Sequence, residues 1–342
     1  MKKALFLCGC LFFLFLWSSA QDSLNTFSNQ IKQYEENDEF NGVIAIAMEG
    51  KVFFHRGIGF ANFEDQIKND RSMPMPISSI TKPFTAMAIM LLVERQLMDY
   101  KDQVSKHIEN FPYQNITIQH LLNHTSRFKR SYKDDLSTTD EILNYVINKK
   151  PKLSFEPGDK FQYSNLGYSL LAAIVEKVSG KPFDRFLSEE IFKPLSMNNT
   201  FLLTDENAKI PKANSYDKNG NLTAWHLDSY PGAKGIYASA NDLLKWDQAL
   251  YGEQLVSQET ISKSYTSGTL NDGSTINYGY GWRKWNGNEH LIFHAGDWVG
   301  NESILFRDLD RKMTIIIMAN RENEISKWQL MDQILAELDY DN

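Results

Sequence analysis

The order of predicted elements along the 342-residue chain indicates an α+β fold: a mainly antiparallel sheet flanked by helices, with a helical insertion. Strands come first, in the stretch GVIAIAMEGKVFFHRGIGFAN. A long region of helix and loop follows over residues 102–235, and strands then return before one closing helix. Such segregation favours an antiparallel sheet covered by helices over alternating βαβ units.

The two N-terminal strands surround a turn at residues 49–50, and residues 22–37 before them have the spacing of an amphipathic helix. Near the other end, HLIFHAG, ESILFRD and KMTIIIMAN are predicted strands, with a turn at residues 308–311. SKWQLMDQILAELDY closes the chain as a helix. YASANDLLKW predicts a further helix whose N-cap is Ser239 or Asn241.

A buried helix is predicted in ISSITKPFTAMAIMLLVE, residues 77–94. Phe84, Met87 and Leu91 recur there at helical spacing within an almost unbroken apolar run. Pro83 fits near the start of this helix, where a missing backbone N–H costs little. The polar lead-in, with two adjacent serines and a lysine, is the unusual part of the segment.

The N-terminal segment has the pattern of a secretory signal peptide, so we expect residues 1–20 to be removed and residues 21–342 to form one domain. Two lysines precede an apolar run over residues 4–17, and small residues lead up to Ala20. The run is shorter than the ~20 residues that a bilayer span needs. The protein is therefore expected to be exported, to the periplasm or outside the cell.

Two other interpretations of this segment are an uncleaved membrane anchor and lipid attachment at Cys10. Lipid attachment is less favoured, because the strongest apolar run, Leu11–Trp17, would stay on the mature chain. Cys8 and Cys10 are the only cysteines, and both lie in this segment. Cleavage would leave neither a disulfide nor a catalytic thiol.

Composition excludes several classes of protein. Hydrophobic residues make up 42% and aromatic residues 13% of the chain, which is enough for a large core and unlike a disordered protein. The net charge is -7 without a basic cluster, so nucleic acid is not an expected partner. The G-x-S-x-G, P-loop and H-E-x-x-H patterns are all missing from the sequence.

Ser79-Ile80-Thr81-Lys82 is an S-x-x-K tetrad. Residues three apart share one face of a helix, so the Lys82 amine can lie against the Ser79 hydroxyl. A serine needs a base to become a good nucleophile, and a lysine with a lowered pKa can act as that base. Spacing alone equally allows Ser78 with Lys82, and an N-cap serine followed by a solvated lysine is the structural alternative.

Two later motifs follow the tetrad: Tyr163-Ser164-Asn165 and His294-Ala295-Gly296. In this order the three motifs resemble those of the serine β-lactamase and penicillin-binding-protein superfamily, nearest its class C β-lactamase-like branch. The segments IQHLLNHTS, PLSMNNT and GIYASANDLLKW are also similar to that family, and the resemblance spans about residues 40–320. It implies a β-lactamase/DD-peptidase-like fold.

The resemblance also implies roles for single residues. Ser79 matches the acyl-accepting nucleophile, Lys82 the lysine that assists its deprotonation, and Tyr163 the general base or proton relay. Four further residues match positions that contact substrate. Asn165 matches the amide that hydrogen-bonds the substrate, and His294 and Gly296 lie in the K-T-G-like strand. The N–H groups of Ser79 and Asp297 match the oxyanion hole. No cofactor is implied.

The chain departs from the family pattern where the family reads K-T-G. His294 replaces the lysine and Ala295 removes the hydroxyl, so the grip on a substrate carboxylate is expected to be weak. Arg127 replaces a glycine of the family's HTSG turn and would restore a cationic anchor if it points into the cleft. Ser78 replaces a glycine before the nucleophile.

Histidines at i, i+4 spacing raise the alternative of a metal site: His120 with His124, and His290 with His294. No carboxylate stands at the spacing that would complete a metalloprotease motif, so no metal is expected. His124 is better explained by a structural hydrogen bond in the HTS turn.

Three tryptophans either line the cleft or pack the sheet: Trp282, Trp285 and Trp298.

We therefore expect an exported serine hydrolase that forms an acyl-enzyme on a small-molecule or peptide substrate. The substrate classes are D-amino-acid peptides, esters and β-lactams, and the His294-Ala295 pair ranks peptides and esters above β-lactams. The alternative is a non-hydrolytic penicillin-binding or sensor protein that acylates slowly or not at all. Association with the cell wall is a further expectation, and the sequence predicts no oligomeric state.

Overall fold

The computed structural model describes residues 27–129, 136–223 and 230–338. The predicted signal peptide and both of its cysteines lie outside these ranges. Residues 27–36 are helical and form α1. The α-helices that follow are α2 (Thr81–Glu94), α3 (Ile118–Leu122), α4 (Thr139–Asn144), α5 (Asn165–Ser179), α6 (Phe183–Leu187), α7 (Ala240–Ala249), α8 (Gln258–Tyr265) and α9 (Lys327–Glu337).

Eleven strands are assigned within the described ranges, in three sheets. They are β1 (Gly42–Met48), β2 (Lys51–Ile58), β3 (Phe60–Asn62), β4 (Ile67–Lys68), β5 (Met75–Pro76), β6 (Phe201–Leu202), β7 (Ile236–Ala238), β8 (Arg283–Lys284), β9 (Leu291–Trp298), β10 (Asn301–Asp308) and β11 (Met313–Ala319). The main sheet has the order β2-β1-β11-β10-β9-β8, and all its pairs are antiparallel. The N- and C-terminal strands therefore meet at its centre.

The central strands β1 and β11 are apolar throughout because both faces of the sheet are covered. Every residue of β11 is buried, and so is every residue of β1 except Met48. One face packs against α1 and α9 through a core that includes Phe27, Ile31 and Leu330. The other face packs against α7, and the larger core extends from there to α2 and α5. An all-apolar strand is the expected pattern for a strand between two layers.

Helix α2 lies inside the larger core, which explains why its sequence has almost no polar face. All but two of its fourteen residues are buried, including Lys82 and Pro83. A helix that is apolar all round is normally a buried one. Pro83 is its third residue, a position where no intrahelical N–H bond is lost, as predicted.

The predicted α+β architecture with an antiparallel sheet is confirmed, as are the turn at residues 49–50 and the N-cap role of Ser239. One boundary was wrong: His290 precedes β9, and its Nδ1 lies 2.9 Å from Asp310 in the turn between β10 and β11. Within the described ranges, no helix has the length and apolar character that crossing a bilayer requires.

Candidate active site

The serine pair lies in a 3-10 turn over Ser78–Ile80 that leads directly into α2. Ser78 has a φ of +47°, in the left-handed region that favours glycine. Its hydroxyl is buried and lies 2.5 Å from Asn301 Oδ1 on β10. The neighbouring Ser79 is half-buried, and its Oγ meets Lys82. The structure therefore assigns the two serines to different partners, which spacing alone could not do.

The chain just before the turn is held from both sides. The Ile77 N–H donates to Ile236 O on β7 at 3.0 Å, and the Ile77 carbonyl accepts from Ser303 Oγ on β10 at 3.0 Å. The Ile80 N–H closes the turn on the same carbonyl at 3.0 Å. These bonds fix the backbone that presents Ser79, so that its hydroxyl needs no reorganisation to meet Lys82.

Lys82 is completely buried, and its ammonium has three acceptors at hydrogen-bond distance. Nζ lies 3.0 Å from Ser79 Oγ, 2.9 Å from Asn165 Oδ1 and 2.8 Å from the Ala233 carbonyl. A buried charge is tolerated only when its donors are satisfied in this way. From α2, the lysine therefore joins the nucleophile in the preceding 3-10 turn to the start of α5 and to the segment before β7.

Tyr163 lies on the last residues before α5, half-buried, with its ring against the Lys82 ammonium. Nζ is 4.7 Å from the ring centroid. The HTS turn also supports the Tyr163 ring, because the ring centroids of His124 and Tyr163 are 4.3 Å apart. The structure thus brings Tyr163 to the Ser79–Lys82 pair, as the resemblance implies.

His124 positions the loop that carries Tyr163. It is fully buried, and its Nδ1 accepts the Ser164 N–H at 3.1 Å, while its carbonyl accepts the Gln162 N–H at 2.8 Å. Burial, with a smaller contribution from the nearby Lys82 charge, lowers the pKa of His124 well below its ordinary value. The imidazole is therefore neutral, and His124 holds the backbone on both sides of Tyr163, Ser164 through its ring and Gln162 through its carbonyl.

Asn165 is the first residue of α5, which Ser164 caps by accepting the Gly167 N–H at 3.1 Å. Since Asn165 Oδ1 accepts from Lys82, its amide NH₂ is the end that can donate to a substrate carbonyl. The predicted substrate contact of Asn165 is consistent with this placement.

The His294 side chain is buried, and both of its ring nitrogens have partners within the protein. It is 1% exposed on β9, its Nδ1 donates to the Ala295 carbonyl at 2.9 Å, and its Nε2 lies 3.0 Å from the Tyr278 hydroxyl. Burial, ahead of the charges on Lys82 and Arg283, lowers the pKa of His294 well below its ordinary value. A neutral ring with both nitrogens engaged is a structural support for Tyr278, and the predicted contact of His294 with substrate stays a prediction.

Gly296 lets β9 approach the nucleophile turn. A Cβ at this position would lie 2.4 Å from the Ile77 carbonyl oxygen, 2.4 Å from Ser303 Oγ and 2.8 Å from Ser78 Cβ. Only glycine fits against that backbone. The close approach places the end of β9, with Asp297, beside the turn that carries Ser79.

Asp297 is held from the C-terminal helix. Lys327 is 1% exposed on α9, and its ammonium donates to the Gly296 carbonyl at 3.2 Å and forms an ion pair with the Asp297 carboxylate. Because the carboxylate is held in this way, the backbone N–H of Asp297 is its candidate contribution to catalysis. That role in an oxyanion hole stays a prediction.

Arg127 pairs with Glu156, Nη1 to Oε1 at 3.1 Å, and so does not supply the cationic anchor that its position had suggested. Its φ of +76° explains why glycine suits this turn.

Of the tryptophans, Trp282 is buried and Trp285 packs on the sheet against Phe293, with ring centroids 5.2 Å apart. Trp298 is 37% exposed at the end of β9, so it is the one that remains accessible.

The described part of the chain holds no group of three or more histidine, cysteine, aspartate or glutamate side chains arranged for a metal ion. His120 instead forms a capping box with Thr117 at the start of α3.

Three contributors to the site carried no signal in the sequence: the Ala233 carbonyl, Tyr278 and Arg283. None of them belongs to a recognisable motif.

A completely buried lysine on a serine hydroxyl, beside a tyrosine and an asparagine, on an antiparallel sheet flanked by helices, defines a protein of the serine β-lactamase and penicillin-binding-protein superfamily. The chain belongs to the Beta-lactamase family, which it matches over residues 27–339. It is 30% identical over 317 residues to penicillin-binding protein 4* of Bacillus subtilis (strain 168), covering 84% of this chain and 70% of that protein.

Other relatives agree with this assignment. Protein flp of Staphylococcus aureus (strain MRSA252) is 27% identical over 298 residues, which cover 82% of this chain and 59% of that protein. The octameric penicillin-binding protein homologue from Pyrococcus abyssi has a TM-score of 0.79 at 26% identity, covering 92% of this chain and 76% of that one. FmtA from Staphylococcus aureus has a TM-score of 0.78 at 23% identity, covering 91% and 88%. The likeness to FmtA concerns the fold alone.

Proposed function

We propose that this protein is a serine hydrolase in which Ser79 attacks an amide or ester carbonyl and forms an acyl-enzyme that water releases. The observation that carries the proposal is the contact of 3.0 Å between Lys82 Nζ and Ser79 Oγ, in a site where the lysine is fully buried. A hydroxyl becomes a competent nucleophile when a base lies within hydrogen-bond reach.

Proton transfer follows from the same contacts. A Lys82 amine that has lost one proton accepts the Ser79 proton along the existing hydrogen bond, while Asn165 Oδ1 and the Ala233 carbonyl hold the remaining N–H groups. Tyr163, whose ring lies on the Lys82 ammonium, is the second member of the relay. It returns a proton to the leaving group and later activates water.

The developing oxyanion would be received by the N–H groups of Ser79 and Asp297. Gly296 supports this assignment, since it brings β9 against Ser78 with no room for a side chain. Lys327 then limits the movement of the strand end through the Gly296 carbonyl. Preorganised donors of this kind contribute several kcal/mol to acyl transfer.

For the substrate, we rank D-amino-acid peptides and esters above β-lactams. A neutral, buried His294 stands where the family pattern has a lysine, and Ala295 offers no hydroxyl. An N-terminal signal peptide would deliver the enzyme to the periplasm or the exterior, where peptides of the cell wall are available. Export and cell-wall association belong to this proposal.

The test is to treat the purified protein with a fluorophosphonate probe and to map the labelled peptide. We expect labelling at Ser79, none in Ser79→Ala, and normal labelling in Ser257→Ala, a matched control in which the serine caps α8. A panel of nitrocefin, a p-nitrophenyl ester and a D-Ala-D-Ala peptide then ranks substrates. Absence of label at Ser79 contradicts the hydrolase proposal, and nitrocefin turnover well above the other two reverses the ranking.

A second candidate is a penicillin-binding or sensor protein that acylates slowly or not at all. The printed name of the Bacillus subtilis relative, a penicillin-binding protein, supports it. Against it, every reactive side chain is present and in contact, from Ser79 through Lys82 to Asn165. Stable labelling by a penicillin, without turnover of any substrate in the panel, would favour this second function.

A further inference from the structure

Trp298 ends β9 on the face of that strand that meets the nucleophile turn. Side chains alternate between the two faces of a strand, so Trp298 shares a face with His294 and Gly296. Those two residues are buried, whereas Trp298 is 37% exposed. A strand rises about 3.3 Å per residue, which places Trp298 about 7 Å beyond the point where Gly296 packs on Ser78. The indole is therefore accessible just past the nucleophile turn.

Lys234 holds the Trp298 ring in place. Its Nζ lies 2.9 Å from the ring centroid, and the lysine is only 7% exposed. A cation is attracted to the face of an indole, more strongly when the ammonium is shielded from water. Lys234 directly follows Ala233, whose carbonyl accepts from Lys82. The contact therefore bridges the segment before β7 and the end of β9, the two elements on either side of the turn that carries Ser79.

The two ends of the site take different parts of a substrate. The ring centroid of Tyr163, the second member of the proposed proton relay, lies 6.5 Å from that of His294. His294 precedes Trp298 by four residues, about 13 Å along the strand. The leaving group has to lie at the end where Tyr163 returns a proton to it. The acyl group then extends toward Trp298.

The surface at the acyl end is apolar. Val299, the next residue in the turn between β9 and β10, is 46% exposed beside Trp298. The neighbouring charges are engaged, since the Asp297 carboxylate pairs with Lys327 on α9 and the Lys234 ammonium lies on the indole. Apolar side chains exposed beside a reactive group are stabilised when an apolar part of a ligand covers them.

We propose that Trp298 binds the acyl group of the substrate and selects an apolar one. The acyl group is an aromatic ring or an alkyl chain long enough to span the distance of about 7 Å from the nucleophile turn to the indole. The inference rests on the proposed hydrolase function and specifies its acyl donor. It ranks substrates with large apolar acyl groups above those with small ones such as acetyl.

The test uses the p-nitrophenyl esters of acetate, butyrate and hexanoate, which share one leaving group. In the wild type we expect kcat/KM to rise with chain length. In Trp298→Ala the ratio of kcat/KM for hexanoate to that for acetate should fall roughly 10-fold, the effect of no longer burying about two methylene groups. Trp298→Phe keeps an aromatic face and should recover most of this ratio.

Trp328→Ala is the matched control. Trp328 is 40% exposed, much like Trp298, but it lies at the start of α9 against Phe293, with ring centroids 6.0 Å apart. Phe293 is on the opposite face of β9 from Trp298. The ratio in Trp328→Ala should stay within about twofold of wild type. A fall as large as in Trp298→Ala would mean that longer esters merely associate with exposed indoles, and would overturn the proposal.

Two further results overturn the proposal. An unchanged ratio in Trp298→Ala would mean that the indole does not contact the acyl group. Equal losses of kcat/KM on acetate and hexanoate would mean that Trp298 only supports the end of β9.

Failure of the underlying hydrolase function is separable from failure of this inference. Binding of p-nitroacetanilide and p-nitrohexananilide to Ser79→Ala, followed by NMR titration, requires no acyl-enzyme. We expect the hexananilide to bind roughly 10-fold more tightly, and the addition of Trp298→Ala to remove the difference. Equal affinities for the two anilides in Ser79→Ala reject the inference even if the enzyme hydrolyses nothing. The expected difference without turnover of any ester rejects the hydrolase function and upholds the subsite.

Discussion

Replacing Gly296 with alanine tests how the sheet positions the nucleophile. The new Cβ would lie 2.4 Å from the Ile77 carbonyl oxygen, 2.4 Å from Ser303 Oγ and 2.8 Å from Ser78 Cβ, all shorter than a van der Waals contact. Ser303 could rotate away, but its hydroxyl would then leave the Ile77 carbonyl. The clash therefore falls on backbone atoms.

The Ile77 backbone cannot yield cheaply, since its N–H is bonded to Ile236 and its carbonyl closes the turn on Ile80. Overpacking of this kind costs about 1–3 kcal/mol in free energy of unfolding. The entropic benefit of Gly→Ala in the unfolded chain, about 0.4–1 kcal/mol, offsets only part of it. A shift of β9 away from Ser79 would also displace the Asp297 N–H and slow acylation by about 100-fold.

Gly252→Ala is the matched control. A Cβ there meets only the Ala249 carbonyl oxygen, at 3.7 Å, and the residue does not have a positive φ. Urea unfolding gives the stability of both variants, and the rate of fluorophosphonate labelling gives acylation. We expect Gly252→Ala to match the wild type within about 0.5 kcal/mol. If Gly296→Ala were as stable and as fast as this control, the close approach of β9 to the turn would have no role in the site.

Three further predictions concern single side chains. Ser78→Gly should leave the free energy of unfolding within about 1 kcal/mol of wild type, because relief of the positive φ offsets the lost hydrogen bond to Asn301. Urea unfolding measures this stability, and probe labelling should show that acylation is preserved. Lys82→Met should slow labelling of Ser79 by about 10²- to 10⁴-fold while the protein remains folded by circular dichroism; a near-normal rate would exclude the lysine as base. The pKa of His294 is lowered in the folded protein, so around pH 6.5 this histidine takes up a proton in the unfolded chain but stays neutral in the folded one. The stability that His294 contributes above pH 6.5 is therefore lost as the pH falls below that value. Urea titrations from pH 7 to 5 give the free energy of unfolding at each pH. In His294→Asn, the slope of this free energy against pH should be shallower than in wild type by up to about 1.4 kcal/mol per pH unit. Identical slopes in the two proteins would contradict a neutral buried His294.

The sheet and the buried helix were predictable because burial on both sides is visible in the sequence. β1 and β11 are apolar runs with turns beside them, and α2 is apolar around its whole circumference. The order of the three motifs then located Ser79 and Lys82. The spacing of residues could not separate Ser78 from Ser79. The difference lies in Asn301, 223 residues away in the chain, whose Oδ1 accepts from the Ser78 hydroxyl while Ser79 meets Lys82.

The remaining part of the site depends on contacts that leave no trace in a single sequence. The Ala233 carbonyl that holds Lys82 is backbone, and any residue type would provide it. Tyr278 and Arg283 resemble ordinary sheet residues until the fold sets them beside Tyr163. The charge state of His294 was not predictable for the same reason, since it depends on burial by neighbours that the motif does not contain.

The role of Ser79 as nucleophile is tested most directly by the time course of the protein mass after mixing with an activated ester. We expect an adduct with the mass of the acyl group that maps to Ser79 and then disappears as product is released. Ser79→Ala should show no adduct, and Lys82→Met should form it far more slowly. An acyl group found on any other residue, or product released with Ser79→Ala at the wild-type rate, would contradict the assignment of Ser79 as the nucleophile.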